Sequence, residues 1–293
     1  MVCGQPRRAQ RIHVMDYQWY PGHMTKARRM MQENIALIDL LIELTDARAP
    51  QAGRNPDFDS LAKGKSRIVV LNKADLADDV QTKRWSTHYE EQGFLTAQID
   101  SRSGSGVRKL KPLIDRACAE KMERNRRRGI VNRPVRAMIA GIPNVGKSTF
   151  INSFAGRAAA KTGDRPGVTK GKQWIRLNKN VELLDTPGIL WPKFDDREIG
   201  MKLALIGSIR DEITDPAELA VWLIRYLYRE YPDAVPDRYG VETTDDMAEV
   251  LKEIAVKRGC LKAGAAADLE KASQLVIDDF RSGRLGKLTL EKV

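Results

Sequence analysis

The first apolar run that stands clear of its surroundings is IDLLIELTDAR (Ile38–Arg48), where consecutive hydrophobic residues give way to polar ones. Such a run suits a strand buried on both faces better than a half-exposed helix. RIVVLNKAD (Arg67–Asp75) repeats the pattern more strongly, with three β-branched residues before its polar loop. Val135 to Gly141 gives a third such strand, and shorter ones are expected at Phe94–Ile99, Lys172–Leu177 and Asn180–Asp185. Helices are expected from His23 to Asn34, from Val80 to Gln92, from Val107 to Arg127, and directly after Gly146. Strands alternating with helices give an α/β domain with a mainly parallel sheet.

Beyond about residue 190 the strand signals end. Asp215-Pro216 supplies a cap and a first-turn proline for a helix through Tyr231. Thr243 or Thr244 is the expected cap of a helix to Arg258, and Ala265 to Phe280 reads as another. The expected organisation is an extension over 1–14, with Met15 a candidate start, an α/β domain over 15–205, and an all-helical domain over 206–293.

Composition narrows this picture. The 293 residues include 50 Lys+Arg and 39 Asp+Glu, a net charge of +11, and 42% are hydrophobic, enough for a packed core. Cys3, Cys118 and Cys260 are odd in number and form no C-x-x-C pair, which argues against a disulfide scaffold and fits a reducing compartment. No apolar run approaches the ~20 residues of a membrane span, and the polar, basic first 14 residues do not form a secretory signal. A cytoplasmic protein without a membrane partner is expected.

The positive charge is unevenly placed. Residues 108–136 hold eleven basic residues against three acidic ones, while residues 1–30 and 161–180 each hold six against one. From Asp211 to Val293, by contrast, seventeen acidic residues outnumber twelve basic ones. Clusters such as Arg124, Arg126, Arg127 and Arg128 form either a solvated helix face or a surface for phosphates.

Gly141-Ile-Pro-Asn-Val-Gly146-Lys147-Ser148 matches G-x-x-x-x-G-K-[ST], and it lies between an expected strand and an expected helix. Glycines let successive N–H groups curl around a β-phosphate while the helix N-terminus adds positive potential. Lys147 neutralises β/γ oxygens and Ser148 is a candidate Mg²⁺ ligand. Candidate nucleotide contacts are therefore Asn144, Val145, Gly146, Lys147, Ser148 and Thr149. Asn72-Lys73-Ala74-Asp75 ends the strongest strand, and a carboxylate at its fourth position can accept from guanine N1–H and N2–H, a donor pair adenine lacks. That points to GTP over ATP. Asp185-Thr-Pro-Gly188 ends a later strand, where a Mg²⁺-organising Asp and a γ-phosphate-sensing glycine belong; Thr169 lies in the loop before it, as a further Mg²⁺ and γ-phosphate candidate. Ser101 and Arg102 fit a guanine-facing loop.

These five motifs resemble those of TRAFAC-class GTPases, but in a permuted order. The base motif and guanine loop come first, then the phosphate loop, the Thr switch and D-T-P-G. The resemblance implies a circularly permuted P-loop GTPase domain followed by a small helical domain, with the D-T-P-G arm as the tether between them. Trp19-Tyr-Pro-Gly-His-Met24, Asp46-Ala-Arg-Ala-Pro50 and Gly188-Ile-Leu-Trp-Pro-Lys193 sharpen the likeness to the ribosome biogenesis GTPase A (YlqF/RbgA-like) family. This resemblance implies a monomeric factor in late maturation of the large ribosomal subunit. Its partners would be ribosomal RNA and proteins of the subunit precursor, and the ribosomal particle would stimulate its hydrolysis. The resemblance also implies RNA or ribosome binding by the helical domain over 206–293; its net negative charge argues against bulk electrostatic RNA binding there and leaves a local basic face as the route.

Many small GTPases place a water-orienting Gln where this chain has Ile189, which can neither donate nor accept through its side chain. The resemblance implies His23 in that role, and Asn144 as a K⁺ ligand. Arg102 stands where Ala is usual in the guanine loop; its backbone N–H is still expected to reach the base oxygen. An RNA- or protein-binding scaffold whose conformation GTP sets without productive hydrolysis is the alternative.

Overall fold

All seven residues of β1 (Leu40–Asp46) are buried, so this strand must lie inside the sheet rather than at its edge. The computed structural model describes residues 22–130, 133–160, 173–177, 180–190, 196–242 and 244–293. In chain order, α1 (Gly22–Asn34) precedes β1, which is followed by α2 (Asp57–Leu61), β2 (Ser66–Asn72), α3 (Asp79–Glu91), β3 (Leu95–Gln98), α4 (Leu110–Arg127), β4 (Val135–Ala140) and α5 (Lys147–Ala155). Then come β5 (Gln173–Arg176), β6 (Val181–Asp185), α6 (Arg197–Leu205), α7 (Pro216–Glu230), α8 (Ala234–Tyr239), α9 (Met247–Lys257) and α10 (Leu269–Arg281).

The strands form one sheet in the order β3-β2-β1-β4-β6-β5. Every pairing is parallel except that of β5 with β6, which is antiparallel. Strand order reverses between β1 and β4, and loops at the carboxyl ends of strands flanking such a reversal open into a ligand crevice. Permutation leaves this sheet intact because it changes only which strand ends are joined.

One charged residue interrupts the apolar run of β1. Glu43 is fully buried, yet its carboxylate accepts from Arg54 and Arg67, whose guanidiniums also stack on the Phe94 ring. A buried carboxylate without such partners would cost several kcal/mol.

The tail differs in detail from the sequence expectation. Asp215 caps α7 as expected. Asp246 rather than Thr244 caps α9, its side chain accepting from the Ala248 and Glu249 N–H groups, and Thr243 lies outside the described residues. Helix α10 begins at Leu269 behind an Asp268 cap, not at Ala265, whose φ of 62° takes it out of the helical region. Helices α6 and α8 were not expected. The tail is not separate from the sheet: a single apolar cluster runs from Leu40 through Ile139 and Leu223 to Phe280 and Leu290. The final residues lie along the α/β domain, with the Leu288 N–H donating to Leu76 O and the Leu290 N–H to Arg48 O. Glu291 accepts from the Gln51 and Ala52 N–H groups.

Among the described residues, no helix is long and apolar enough to cross a membrane.

Candidate active site

The carboxyl ends of β2, β1, β4 and β6 lie side by side, so the sheet brings the base motif, the phosphate loop and D-T-P-G to one edge. Asn72, the last residue of β2, joins two of these loops. Its Oδ1 accepts from the Ser101 N–H at 3.1 Å and the Ser101 hydroxyl at 2.7 Å, while its Nδ2 donates to Val145 O at 2.7 Å. The side chain is thus a brace between guanine loop and phosphate loop. Asp75 stands exposed beyond it, free of the sheet.

The phosphate loop turns on two left-handed residues, Asn144 at φ 60° and Gly146 at φ 92°. A Cβ on Gly146 would sit 2.5 Å from Asn72 Nδ2, so glycine is required there for space as well as for conformation. Lys147, at the head of α5, is buried with its Nζ donating to Gly141 O at 3.0 Å and Ile142 O at 2.8 Å. Ser148 and Thr149 follow on the first turn of α5, both half-buried.

Asp185 ends β6, 3% exposed. Burial pushes its carboxyl up to about 6, against the pull of Lys147 and of a hydrogen bond with the Thr186 backbone. Burial likewise pushes Lys147 down to about 8, against the opposing pull of Asp185. Asp185 Oδ1 is buried with no hydrogen-bond partner, a cost that a cation or its water would relieve. Thr186 anchors the loop by donating from its hydroxyl to Ile139 O at 2.6 Å. Gly188 then passes so close to the phosphate loop that a Cβ would lie 2.8 Å from the Pro143 backbone and 2.9 Å from Lys147 Nζ.

Ile189 is 1% exposed in an apolar cluster with Met138, Leu184 and Met31 of α1, so it is a packing residue with no access to water. Met31 lies on α1, the helix whose first turn contains His23, so that helix contributes to the same apolar cluster as Ile189. The His23 side chain, Thr169 and residues 191–195 lie outside the described residues.

Two features depart from the expected base pocket. The Arg102 N–H donates to Asp100 Oδ1 at 2.8 Å, so a guanine oxygen has to compete with that carboxylate for it. Asp46 and Arg48, read from sequence only as part of a family signature, form a buried ion pair beside Lys73. Asn144 is likewise engaged: its Nδ2 donates to Gly207 O at 2.6 Å. No local sequence signal marks that contact, because its partner lies 63 residues further along the chain.

A family model described as 50S ribosome-binding GTPase matches residues 136–259. It starts downstream of Asn72–Asp75, in keeping with a base motif that precedes the phosphate loop. Ribosome biogenesis GTPase A of Bacillus cereus is 46% identical over 278 residues, covering 94% of each chain. The chain belongs to the ribosome biogenesis GTPase A family. The protein of that name from Bacillus pumilus is 45% identical over 279 residues, 95% of this chain and 99% of the relative. The solved GNP-bound structure of YlqF from T. maritima aligns with a TM-score of 0.63 at 29% identity, over 91% of this chain and 98% of that one. Ribosome biogenesis GTPase A proteins are GTPases, and this member is an enzyme that hydrolyses GTP.

Proposed function

We propose that this GTPase acts in the bacterial cytoplasm as a monomeric assembly factor in late maturation of the large ribosomal subunit. Its partners are the ribosomal RNA and proteins of the subunit precursor. The observation that supports this most is the approach of Lys147, Asp185 and Gly188 to one another in a chain of this family.

Nucleotide binding replaces contacts the protein makes with itself. Lys147 exchanges the Gly141 and Ile142 carbonyls for β/γ-phosphate oxygens, which recovers the energy of a buried ammonium. The N–H groups of Asn144, Val145, Gly146 and Lys147 and of the first α5 residues, Ser148 and Thr149, face the β-phosphate. Asp75 accepts from guanine N1–H and N2–H, with Lys73, Ser101 and Arg102 around the base and Asn72 holding their loops together. The Gly188 N–H takes a γ-phosphate oxygen.

The residues fit a Mg²⁺ ion, because Asp185 Oδ1 is buried without a partner next to the loop that carries Ser148. Ser148, Thr169 and Asp185 are the proposed ligands, and the ion supplies charge neutralisation at the β- and γ-oxygens. Asn144 is the proposed K⁺ ligand in the phosphate loop, where its Nδ2 donates to Gly207 O. Such an ion adds a further positive charge beside the phosphates. With Ile189 buried, the attacking water is oriented by His23, in the first turn of the helix whose Met31 shares an apolar cluster with Ile189.

The Arg124, Arg126 and Arg127 side chains occupy the last turn of α4, where they complement the helix dipole and stand exposed. They are the proposed RNA-facing group among the described residues, and RNA binding through them should weaken steeply with salt.

The test is GTP turnover with and without large-subunit precursor particles, in KCl and in NaCl. Stimulation by particles, greater in KCl and lost in His23→Ala while nucleotide binding persists, supports the whole reading. Turnover indifferent to particles favours the GTP-set scaffold, and equal turnover in the two salts removes K⁺.

A further inference from the structure

Strand β1 runs between the strand of the base motif and the strand of the phosphate loop, and its last residue pairs in register with Asn72. That residue, Asp46, is fully buried, and both its oxygens are used. Oδ1 accepts from the Arg48 N–H at 3.1 Å and from Arg48 Nε at 2.9 Å. Oδ2 accepts from Arg48 Nη2 at 2.8 Å and pairs with Lys73 Nζ at 2.9 Å. Lys73 is the second residue of the base motif and holds a left-handed backbone at φ 59°, a conformation that needs support in a residue with a Cβ.

Arg48 carries the link onward. It is 2% exposed, and its Nη1 donates to the Phe280 and Arg281 carbonyls at 3.3 and 3.2 Å while its guanidinium lies over the Phe280 ring. These carbonyls end α10, where the helix dipole is negative. Asp46 is shared between the buried Arg48 and the half-buried Lys73, and the carboxyl end of α10 supplies further negative potential for Arg48. If α10 moved away, Arg48 would lose two acceptors in a buried setting, which is strongly unfavourable. The guanidinium would then no longer be held in the pose that serves both Asp46 oxygens, and the Asp46–Lys73 pair would lose that support.

We propose that Asp46 and Arg48 are positioning residues for guanine recognition, acting through Lys73, and that they couple nucleotide occupancy to the docking of the α10 carboxyl end. The inference rests on reading Asn72–Asp75 as the base site. Coupling of this kind is reciprocal: a nucleotide that fixes the Lys73 loop tightens the α10 contact, and loosening that contact weakens the nucleotide.

The experiment is amide hydrogen exchange of the full chain with and without GDP, together with GDP and ADP affinities. Wild type should bind GDP over ADP and gain protection on GDP binding across residues 280–290, which belong to no proposed nucleotide contact. Arg48→Lys keeps the charge but lacks the planar fork that serves Asp46 and two carbonyls together. It should lose the GDP-dependent protection and bind GDP about 5- to 100-fold more weakly. Phe280→Leu disturbs the link from the tail side, with an apolar core residue kept in place, and should weaken GDP binding in the same direction. It carries the test if Arg48→Lys does not fold. Absence of GDP preference in wild type overturns the base-site reading itself. GDP preference without added protection at 280–290, or folded variants with wild-type protection and affinity, overturns the coupling alone.

Discussion

Asn144 and Gly207 are joined by a hydrogen bond of 2.6 Å from a phosphate-loop side chain to the turn that follows α6. Beside it, the Ser208 hydroxyl donates to Pro143 O at 2.8 Å. Two successive residues of the phosphate loop are thus tied to two successive residues of the tail. Ser208→Ala should cost about 1 kcal/mol of stability, the value of a typical buried hydrogen bond, and leave the salt preference of hydrolysis intact. Asn144→Ala should abolish the difference between KCl and NaCl. Turnover in the two salts, beside thermal melting, separates the loop-anchoring contact from the ion-binding one.

The charges at the site set a pH window for nucleotide binding. Phosphates bind the protonated form of Lys147, which burial holds down to about 8, so affinity should fall as pH rises past that value. Mg²⁺ binds the ionised form of Asp185, which burial holds up to about 6, so Mg²⁺-dependent affinity should fall as pH drops below it. Each limb approaches about tenfold per pH unit when one proton decides binding. Titration of Mg·GDP from pH 5 to 9 checks this. The acid limb should vanish with EDTA and in Asp185→Asn; a limb that survives both has another origin.

Base selectivity should reside in Asp75 and loop geometry in Asn72. Asp75→Asn removes two charge-assisted bonds to guanine and should weaken GTP binding by about 10- to 100-fold. The amide can donate to xanthine O2, so xanthosine triphosphate should bind better to this variant than to wild type. Asn72→Ala should weaken both nucleotides alike, because it releases Ser101 and Val145 together rather than a base contact. Competition binding with the two triphosphates distinguishes these outcomes.

Much of the sheet was legible because β1, β2 and β4 are mainly apolar runs, each broken by at most one internal charge and leading into motif residues, a pattern that buried parallel strands impose locally. The helices α6 and α8 were not: α8 opens as Ala-Val-Pro after Tyr-Pro-Asp, which reads as a turn, and it is held by Val235 and Tyr239 in the shared core and by the bonds of Arg238 and Tyr239 to Asp279 on α10. Thr243, Thr244 and Asp246 are all residue types that cap helices, and the folded backbone is what shows Asp246 accepting from the Ala248 and Glu249 N–H groups. The phosphate loop, base motif and D-T-P-G are local strings and could be read as such. The contacts of Asn72, Asn144 and Arg48 could not, since their partners lie 29 to 233 residues away and only the folded sheet brings them together.

Gly188 is the position where a small change should separate binding from hydrolysis. A Cβ there would meet the Pro143 backbone at 2.8 Å, and backbone atoms of a loop held by Ser208 cannot yield as a side-chain tip can. It would also meet Lys147 Nζ at 2.9 Å, and that contact can be relieved once the lysine turns to phosphate. Gly188→Ala should therefore displace the D-T-P-G arm outward rather than collapse the phosphate loop. Overpacking of this kind costs about 1–3 kcal/mol, which the fold can absorb with a lower melting temperature. GDP makes no γ-phosphate contact, so its affinity should change little. GTP loses the Gly188 N–H, so its affinity should drop toward that of GDP and turnover should fall at least tenfold. GDP and GTP affinities with single-turnover hydrolysis decide the matter: an unchanged GTP-to-GDP affinity ratio with normal turnover would remove Gly188 from the γ-phosphate site.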